Sequence, residues 1–565
     1  MTFNAQSRFC WLQRKGVRTI RGAEIFLGAL QKSGVRYLFG LPGSTEAAIL
    51  DALAGNSELE YILGLHENVV VGMADGYARA SGQVGVANLH TSVGTFNGLA
   101  NLYNAWRDSS PVMMTVGHKD SRLFTRDGFC VVPSLPEFAR QITKWSWQTV
   151  HPEEIAGDVY RGVKMATASP SGPVYLAIPE DLLAAEVDKG VPSAEGLSRV
   201  HSAVRPGRSA LAQAVELLQE ARRVVLVAGS EVATSSSTEL VAKLAERLAA
   251  PVMLEQRKSN TALTFLSDHP NVIGRYAVNS PAIQEADVVF FVGGQVFLDF
   301  SYPAQPQVPA GAKLIHLHPS TWQLAKQYPT EVPLVGDVRE GLTDLLEAFE
   351  GQKIPGETER KRFLVRGQQQ PNAPKTKATP SAADPITGEW LAREMQRIFP
   401  PETIIVDEAI RTSRPLQAHY GFTVPNTYYK TSGGALGWGM PAALGVALAR
   451  PKGKVVAVIG DGASLFTIQS LWTAAHHCIP VLTIICNNRK YMAVHSAIET
   501  YDGLAVQNED FIGCTLDSPN IDYVGIAAGF GVPGRRVEQA GNMSTALQMG
   551  LKHPGPYVLE VVLEH

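Results

Sequence analysis

The sequence predicts an α/β protein of three domains, each with a doubly wound parallel sheet, and three observations support this fold class. Short apolar segments alternate with segments of helical pattern along most of the chain, and such alternation is typical of βαβ units. The alternation stops at one proline-rich stretch and then resumes. The length of 565 residues corresponds to three or four domains at roughly 100–200 residues each.

The first domain is expected to cover residues 22–195. Its first half alternates between the two patterns at short spacing, which indicates a parallel sheet. We predict helices at 23–33, 45–53, 69–80 and 96–106, and strands at 35–39, 60–65, 84–90 and 112–116.

The second domain is expected to cover residues 205–350. We predict buried strands at 223–228, 252–254, 288–292 and 313–317, with a helix at 238–249. No G-x-G-x-x-G motif follows the first of these strands, so a dinucleotide site has little support. The sequence leaves open whether this domain holds FAD or ADP.

The stretch 351–385 contains five prolines and few large apolar residues, so we expect a long exposed linker there. A third domain, 386–565, follows it. The predicted strands of this domain lie at 403–406, 455–459, 481–485 and 558–563.

Composition excludes several classes of protein. Lys and Arg number 50 and Asp and Glu number 53, for a net charge of −3, so the chain has no basic footprint for nucleic acid or an anionic membrane. No apolar run reaches the 18 residues that a membrane-spanning helix needs.

The cysteines are few, odd in number and widely spaced, with no C-x-x-C pair: Cys10, Cys130, Cys478, Cys486 and Cys514. This pattern disfavours a disulfide framework or a zinc site and fits a reducing, cytoplasmic compartment. The first 21 residues are basic and lack a hydrophobic segment. We therefore expect a loose extension rather than a secretory signal, with a transit peptide as the alternative.

Two short motifs carry the strongest chemical signal. The sequence Gly-Asp-Gly at 460–462 follows one predicted strand, and Asn-Asn at 487–488 follows the next, with Asn488 lying 27 positions after Asp461. Ligands of open parallel sheets bind at the carboxyl ends of the strands. Carboxylate and amide oxygens suit Mg²⁺, and glycines let a diphosphate approach the backbone. Either motif alone would be an ordinary turn, but the pair in this context predicts a magnesium–diphosphate site.

The two motifs resemble the signature of thiamine-diphosphate-dependent enzymes, most closely the benzoylformate decarboxylase and acetolactate synthase branch, over about residues 22–565. The resemblance implies that thiamine diphosphate and Mg²⁺ are the cofactors, and that the three domains are pyrimidine-binding, middle and diphosphate-binding domains. It implies that Asp461, Asn488 and the backbone carbonyl of Lys490 bind the metal.

The stretch 431–445, TSGGALGWGMPAALG, also matches this branch. There Leu436 is implied to be the apolar residue that supports the bent cofactor. The other residues implied to contact the cofactor here and at the Gly-Asp-Gly motif are Gly434, Gly460, Gly462 and Ala463. Outside the resemblance, this stretch is a glycine-rich helix start with Leu436 in the core.

Glu67 follows a predicted strand in the stretch LHENVVVGMADGYARASG, residues 65–82. In the family such a glutamate hydrogen-bonds N1′ of the aminopyrimidine, and this contact activates the thiazolium carbon. The alternative is a carboxylate placed at a helix start, where the dipole favours it.

Ser44 and His90 each follow a predicted strand of the first domain. Benzoylformate decarboxylase has a serine and a histidine at matching positions, which the resemblance assigns to the substrate carboxylate and to proton transfer. A helix N-cap for Ser44 and a core histidine for His90 are the structural alternatives.

The match to benzoylformate decarboxylase fails at several positions. Phe300 stands where the decarboxylase has a second histidine, and Ala497 where it has an aromatic residue. Ile410 and Arg411 replace small hydroxyl residues near the diphosphate. These differences concern the substrate and leave the cofactor chemistry unaffected.

The sequence therefore favours a 2-oxo acid decarboxylase with carboligase activity. An acetolactate-synthase-like transferase or a 2-hydroxyacyl-CoA lyase is the alternative, and a cofactor-binding protein without catalysis is a third. Glu67 argues against the third, because binding alone does not need an activating carboxylate. The expected partners are a small 2-oxo acid or aldehyde, and the family implies a homodimer or homotetramer.

Overall fold

The computed structural model describes residues 19–56, 58–187, 202–256, 262, 266–369 and 385–564. Most of the predicted basic extension lies outside these residues, as do the boundary between the first two domains and most of the second half of the predicted linker.

The first domain is an α/β unit with a six-stranded parallel sheet in the order β3-β2-β4-β5-β7-β6. Two further short strands, β1 and β8, pair with each other in antiparallel fashion. The strands are β1 (Ile20–Arg21), β2 (Tyr37–Leu41), β3 (Glu60–Leu63), β4 (Gly85–His90), β5 (Val112–His118), β6 (Trp145–Gln148), β7 (Val174–Pro179) and β8 (Glu186–Val187). The helices are α1 (Gly22–Lys32), α2 (Ala47–Leu53), α3 (Glu67–Ser81), α4 (Thr91–Arg107), α5 (Ile155–Thr167) and α6 (Glu180–Ala184).

The middle domain contains a second six-stranded parallel sheet, in the order β11-β10-β9-β12-β13-β14. Its strands are β9 (Val224–Ala228), β10 (Val252–Leu254), β11 (Val272–Arg275), β12 (Val288–Val292), β13 (Lys313–His318) and β14 (Val332–Val335). Its helices are α7 (Arg208–Glu220), α8 (Ser230–Thr234), α9 (Thr238–Leu248), α10 (Pro281–Gln284), α11 (Val338–Ala348) and α12 (Glu357–Gln368).

The third domain repeats the strand order of the first, as β16-β15-β17-β18-β20-β19. Its strands are β15 (Ile404–Glu408), β16 (Tyr428–Lys430), β17 (Val455–Gly460), β18 (Val481–Asn487), β19 (Gly534–Val537) and β20 (Tyr557–Val562). Its helices are α13 (Gly388–Ile398), α14 (Ser413–His419), α15 (Gly439–Ala449), α16 (Asp461–Ser464), α17 (Ser470–His476), α18 (Met492–Glu499), α19 (Leu504–Gln507), α20 (Tyr523–Gly529) and α21 (Met543–Lys552).

Apolar side chains cover both faces of each sheet, which confirms the predicted doubly wound class. In β17, Val455, Ala457 and Ile459 belong to one core, whereas Val456 and Val458 belong to the core on the opposite face. Strands buried on both faces are continuously apolar, as parallel sheets between two helical layers require. Among the described residues, no helix is both long enough and apolar enough to cross a membrane.

The prediction of an exposed linker is wrong for the first part of 351–385, because α12 lies there. Phe363 of this helix is buried in the middle-domain core. Arg360 is 2% exposed, and its guanidinium donates to the carbonyls of Leu218 at 2.6 Å and Ala221 at 2.5 Å. These carbonyls end α7, where a cation is stabilised by the helix dipole.

The first and third domains pack through α3 and α15. A Cβ atom on Gly76 would lie 2.1 Å from the carbonyl oxygen of Ala442, and one on Gly445 would lie 2.0 Å from that of Met73. Only glycine permits this approach of two helix backbones. The packing fixes the glycine-rich loop before α15 against the first domain.

Candidate active site

The predicted metal residues lie together at the carboxyl edge of the third sheet. Asp461 follows β17 and Asn488 follows β18, and these two strands are neighbours. The Asp461 carboxylate is 4% exposed and accepts the N–H groups of Gly462 at 2.9 Å and Arg489 at 2.7 Å. Burial raises the pKa of Asp461 to about 6, against the opposing effect of these N–H groups. A bound cation would stabilise this buried charge.

The two asparagines of the second motif have different roles. Asn487 is buried, and its amide donates to Glu560 at 2.7 Å. The side chain of Asn488 is half-buried, and its oxygen accepts the N–H of Lys490 at 3.2 Å. Asn487 therefore fastens the strand end, and its oxygen also accepts the N–H of Arg489 at 3.1 Å, the same N–H group that Asp461 accepts.

The space beside the glycines of the Gly-Asp-Gly motif is occupied mainly by other atoms of the protein. A Cβ on Gly462 would lie 2.3 Å from the ring of Tyr491, so this glycine admits the ring. The nearest atoms to a Cβ on Gly460 are at 3.7 Å, in ordinary contact. Ala463 is buried in the short helix α16.

The loop that contains Leu436 is held by a carboxylate that sequence reasoning did not single out. Glu408, at the end of β15, is 4% exposed and accepts the N–H groups of Gly437 at 3.0 Å, Trp438 at 3.0 Å and Gly439 at 2.8 Å. Burial raises the pKa of Glu408 to about 7. Leu436 is half-buried against the shared core, and Gly434 is exposed with a φ of +85°.

These third-domain residues fit a magnesium-bound diphosphate. A carboxylate, an amide oxygen and a backbone carbonyl are the hard oxygen ligands that Mg²⁺ takes when phosphate and water complete its shell, so Asp461, Asn488 and Lys490 would suit it. Among the described residues there is no cluster of three or more His, Cys, Asp or Glu side chains suited to a metal.

The first domain presents its predicted residues at the matching edge of its own sheet. Glu67 follows β3, Ser44 follows β2 and His90 ends β4, and these three strands are adjacent in that order. Glu67 is the first residue of α3, after His66 as N-cap. Its Oε2 accepts the amide of Asn97 at 3.0 Å. No hydrogen bond or ion pair among the described residues joins Glu67 to Asp461.

His90 lies in a hydrogen-bonded group that the sequence did not reveal. Its Nδ1 is 2.8 Å from Thr45 Oγ1 and 3.3 Å from the Glu46 carboxylate, which is fully buried. Glu46 also accepts the N–H groups of Gly43 at 2.8 Å and Gly117 at 2.9 Å. Acceptors at Nδ1 favour its protonation, which leaves Nε2 as the acceptor on the other side of the ring.

Ser44 is exposed at the start of a short 3₁₀ helix, Ser44–Glu46, and so is available to a ligand. Its Oγ accepts a hydrogen bond from Lys119 Nζ at 3.1 Å. Gly43 holds the N-cap position, so the alternative of Ser44 as an N-cap is not realised.

The residues that depart from the decarboxylase pattern are all exposed. Phe300, in the loop after β12, is 81% exposed, and Ala497 lies on the exposed side of α18. Ile410 has a φ of +47° and, with Arg411, occupies the turn between β15 and α14. This turn lies at the same sheet edge as Asp461, because β15 and β17 are paired.

A separate cavity of about 340 Å³ lies between the middle domain and the first domain. There the Glu231 carboxylate lies 3.2 Å from His318 Nε2. None of the predicted catalytic, cofactor-binding or metal residues lines this cavity.

Two carboxylates were missed in the sequence, Glu46 and Glu408. Each lies beside a residue that the sequence analysis did single out, Glu46 two positions after Ser44 and Glu408 two before Ile410. The available signal was a carboxylate at or shortly after the end of a buried strand. The groups that these carboxylates bind are distant in sequence: Gly439 lies 31 positions from Glu408, and Gly117 lies 71 positions from Glu46.

Comparison with known proteins identifies the family of the chain. Three family models match the chain: the N-terminal TPP binding domain of thiamine pyrophosphate enzymes at residues 20–132, the central domain at 211–345, and the C-terminal TPP binding domain at 412–561. The matched stretches follow the order of the three sheets.

Several proteins resemble the chain over nearly its full length. Benzoylformate decarboxylase of Pseudomonas aeruginosa is 30% identical over 539 residues, which cover 94% of this chain and 97% of that protein. The acetolactate synthase large subunit of Haemophilus influenzae is 26% identical over 549 residues, covering 94% and 92%. The solved structure of thiamine diphosphate-dependent 4-hydroxybenzoylformate decarboxylase from Rhodococcus jostii RHA1 has a TM-score of 0.83 at 27% identity, covering 96% and 99%. The chain therefore belongs to the family of thiamine diphosphate-dependent enzymes, in the branch of benzoylformate decarboxylase and acetolactate synthase.

Proposed function

We propose that this protein is a thiamine-diphosphate- and Mg²⁺-dependent enzyme that decarboxylates a small 2-oxo acid and can join the acyl unit to a second carbonyl compound. The observation that carries the proposal is the presence of both half-sites in one chain. Asp461 and Asn488 suit the diphosphate and metal, while Glu67 and His90 suit activation and proton transfer. When bound, thiamine diphosphate supplies a nucleophilic thiazolium carbon and an electron sink.

Glu67 has the hydrogen-bonding arrangement that an activating carboxyl needs. Asn97 engages its Oε2 at 3.0 Å, so Oε1 is the oxygen that would hold a proton towards N1′ of the aminopyrimidine.

His90 is the proposed acid–base residue towards the substrate. Glu46 and Thr45 orient the ring through Nδ1, so Nε2 is free to exchange a proton. Ser44 stands beside it as a hydrogen-bonding group. General acid–base help of this kind is typically worth about 10²–10⁴-fold.

The protein is proposed to act as a homodimer or homotetramer in the cytoplasm. Val93, Phe96, Tyr103 and Trp106 are each 36–45% exposed and recur at helical spacing along α4. An exposed apolar stripe of this kind is typical of a subunit interface. We expect the Glu67 edge of one subunit to meet the Asp461 edge of its partner, and full activity of a monomer in solution would contradict this.

Phe300 favours carboligation over simple aldehyde release. Release requires one proton to reach the carbon that loses CO₂ and another to leave the hydroxyl, and Phe300 cannot exchange protons. With His90 alone, release should be slow and a second carbonyl compound should capture the acyl unit. Slow release of aldehyde would also suit a second candidate, an acetolactate-synthase-like transferase. Relatives named as acetolactate synthases support this candidate.

The test is to supply thiamine diphosphate and Mg²⁺ and to screen 2-oxo acids and 2-hydroxyacyl-CoAs for CO₂ or aldehyde, with and without an acceptor aldehyde. We expect CO₂ from a 2-oxo acid and ligated product in excess over free aldehyde. Phe300→His should shift the balance towards aldehyde. No consumption of any 2-oxo acid would reject the decarboxylase, and exclusive aldehyde release by both proteins would reject the carboligase.

A further inference from the structure

Lys119 brings a cation to the predicted substrate side of the first sheet. It follows β5, which is the neighbour of β4, so Ser44, His90 and Lys119 come after three adjacent strands. Residue 117 pairs with His90 in the β4–β5 register, and its N–H binds Glu46. The network that holds His90 therefore also fixes the position of Lys119.

The contact between Lys119 and Ser44 has a defined direction. An ammonium can only donate, so at 3.1 Å Lys119 Nζ donates and Ser44 Oγ accepts. The hydroxyl proton of Ser44 then remains available to another acceptor. The Lys119 ammonium carries three N–H groups, of which Ser44 uses one. The pair thus presents two kinds of donor at one place.

Of the three carboxylates around Lys119, two are paired with other residues, and only Glu180 is close to the ammonium. Glu46 faces His90, and Asp120 is held by Arg122. Glu180 lies 3.9 Å from Lys119 Nζ, at the limit of an ion pair, and also accepts the N–H of Asp120. The Lys119 side chain is only 13% exposed, so a weakly paired ammonium here has lost most of its water. An anion at this position would restore the lost interactions.

We propose that Lys119 adds a charged donor to the carboxylate site that the family resemblance assigns to Ser44, and that Lys119 makes the site prefer 2-oxo acids over neutral carbonyl compounds. This inference rests on the proposed function and names its substrate class more narrowly. The acid can be the donor that loses CO₂ or an acceptor that keeps its carboxylate.

The two roles share the same chemistry but differ in what Lys119 can do for the rate. An ammonium stabilises a carboxylate more than the neutral CO₂ that leaves it. For a donor, Lys119 therefore stabilises the bound acid more than the transition state of decarboxylation, and its loss should raise KM without lowering kcat.

The experiment compares Lys119→Met with the wild-type holoenzyme in two titrations. One varies the donor 2-oxo acid and follows CO₂, and the other varies an acceptor 2-oxo acid at saturating donor. A hydrogen bond to a charged group is worth about 1.5–3 kcal/mol, so the KM of the acid should rise roughly 10- to 100-fold in one of the titrations. The KM of an aldehyde acceptor should stay the same, and Lys119→Arg should restore part of the loss. Lys164→Met, an exposed lysine of α5, is the matched control.

Unchanged KM values for acid in both titrations would overturn the proposal. An equal rise in the KM of the acid acceptor and of the aldehyde acceptor would also overturn it, because that result would mean that Lys119 has a structural role. Calorimetry with an unreactive 2-hydroxy acid separates this proposal from the proposed function: weaker binding by Lys119→Met supports the carboxylate site even if no 2-oxo acid is turned over, and equal binding rejects it.

Discussion

In the first domain β4 ends at His90, and in the third domain the strand in the same place, β17, is followed by Asp461. The two sheets have the same strand order, 2-1-3-4-6-5 when the six strands of each are numbered along the chain. Their carboxyl edges nevertheless differ. The first presents Glu67, Ser44 and His90, side chains that can exchange protons or donate hydrogen bonds. The third presents carboxylate and amide oxygens fixed by backbone N–H groups.

The difference shows that the shared topology determines where the site lies in each domain, whereas the side chains at the sheet edge determine its chemistry. Each domain has a buried carboxylate that supports residues of the site, Glu46 in the first and Glu408 in the third. Glu46 directs a histidine, whereas Glu408 directs a backbone loop. We therefore expect changes in the first domain to affect rate and changes in the third to affect cofactor affinity.

The largest effect is expected for Asp461→Ala, which removes the only charged ligand proposed for Mg²⁺. Saturable binding of thiamine diphosphate with Mg²⁺ should disappear in calorimetry, since outer-shell changes alone typically cost about 10–100-fold. Asp510→Ala, an exposed carboxylate of the same domain, should bind normally. Unchanged affinity in the Asp461 variant would show that the metal lies elsewhere.

Glu67→Gln should affect the rate of cofactor activation far more than the affinity for the cofactor. It keeps the side-chain shape and can still hydrogen-bond, but it cannot exchange a proton. We expect proton exchange at C2 of the bound cofactor to slow by about 10²–10⁴-fold, measured by deuterium incorporation, while affinity falls far less. Glu60→Gln, at an exposed position of β3, should exchange normally. Normal exchange in Glu67→Gln would reject Glu67 as the activating residue.

Glu408→Gln should lower the affinity for the cofactor without changing kcat at saturating cofactor. An amide can replace one carboxylate oxygen, but its NH₂ would face a backbone N–H of the loop from 437 to 439. Losing a charged hydrogen bond costs about 1.5–3 kcal/mol, so cofactor affinity should fall roughly 10- to 100-fold with kcat recovered at saturation. A lower kcat at saturating cofactor would contradict the division between the domains.

Glu46→Gln is the matched change in the first domain and should give the smallest effect. It disturbs the orientation of His90, which we expect to cost about 1.4 kcal/mol in the barrier, or roughly tenfold in kcat. Cofactor affinity, measured by the same calorimetry, should remain that of the wild type. A fall in affinity with unchanged kcat would mean that Glu46 supports the cofactor site instead.

The sequence by itself determined the fold class and the edge where the cofactor should bind. Both depend on local patterns: alternation of apolar strands and helices, and motifs that follow strands by one or two residues. Because parallel strands end at a common edge, residues such as Asp461 and Asn488 could be brought together without coordinates. The same reasoning placed Ser44 and His90.

Tertiary structure alone decided which neighbours support those residues. The contacts of Glu46 with Gly117, of Glu408 with the loop before α15, and of Lys119 with Ser44 join residues 29 to 75 positions apart. The helix α12 was missed because its buried residues are an arginine, a phenylalanine and a glycine, Arg360, Phe363 and Gly367, which do not form an apolar pattern. Such contacts depend on which chain segments come together when the domain packs. The burial of a charged side chain away from water is likewise decided by this packing, and it leaves no pattern in the local sequence.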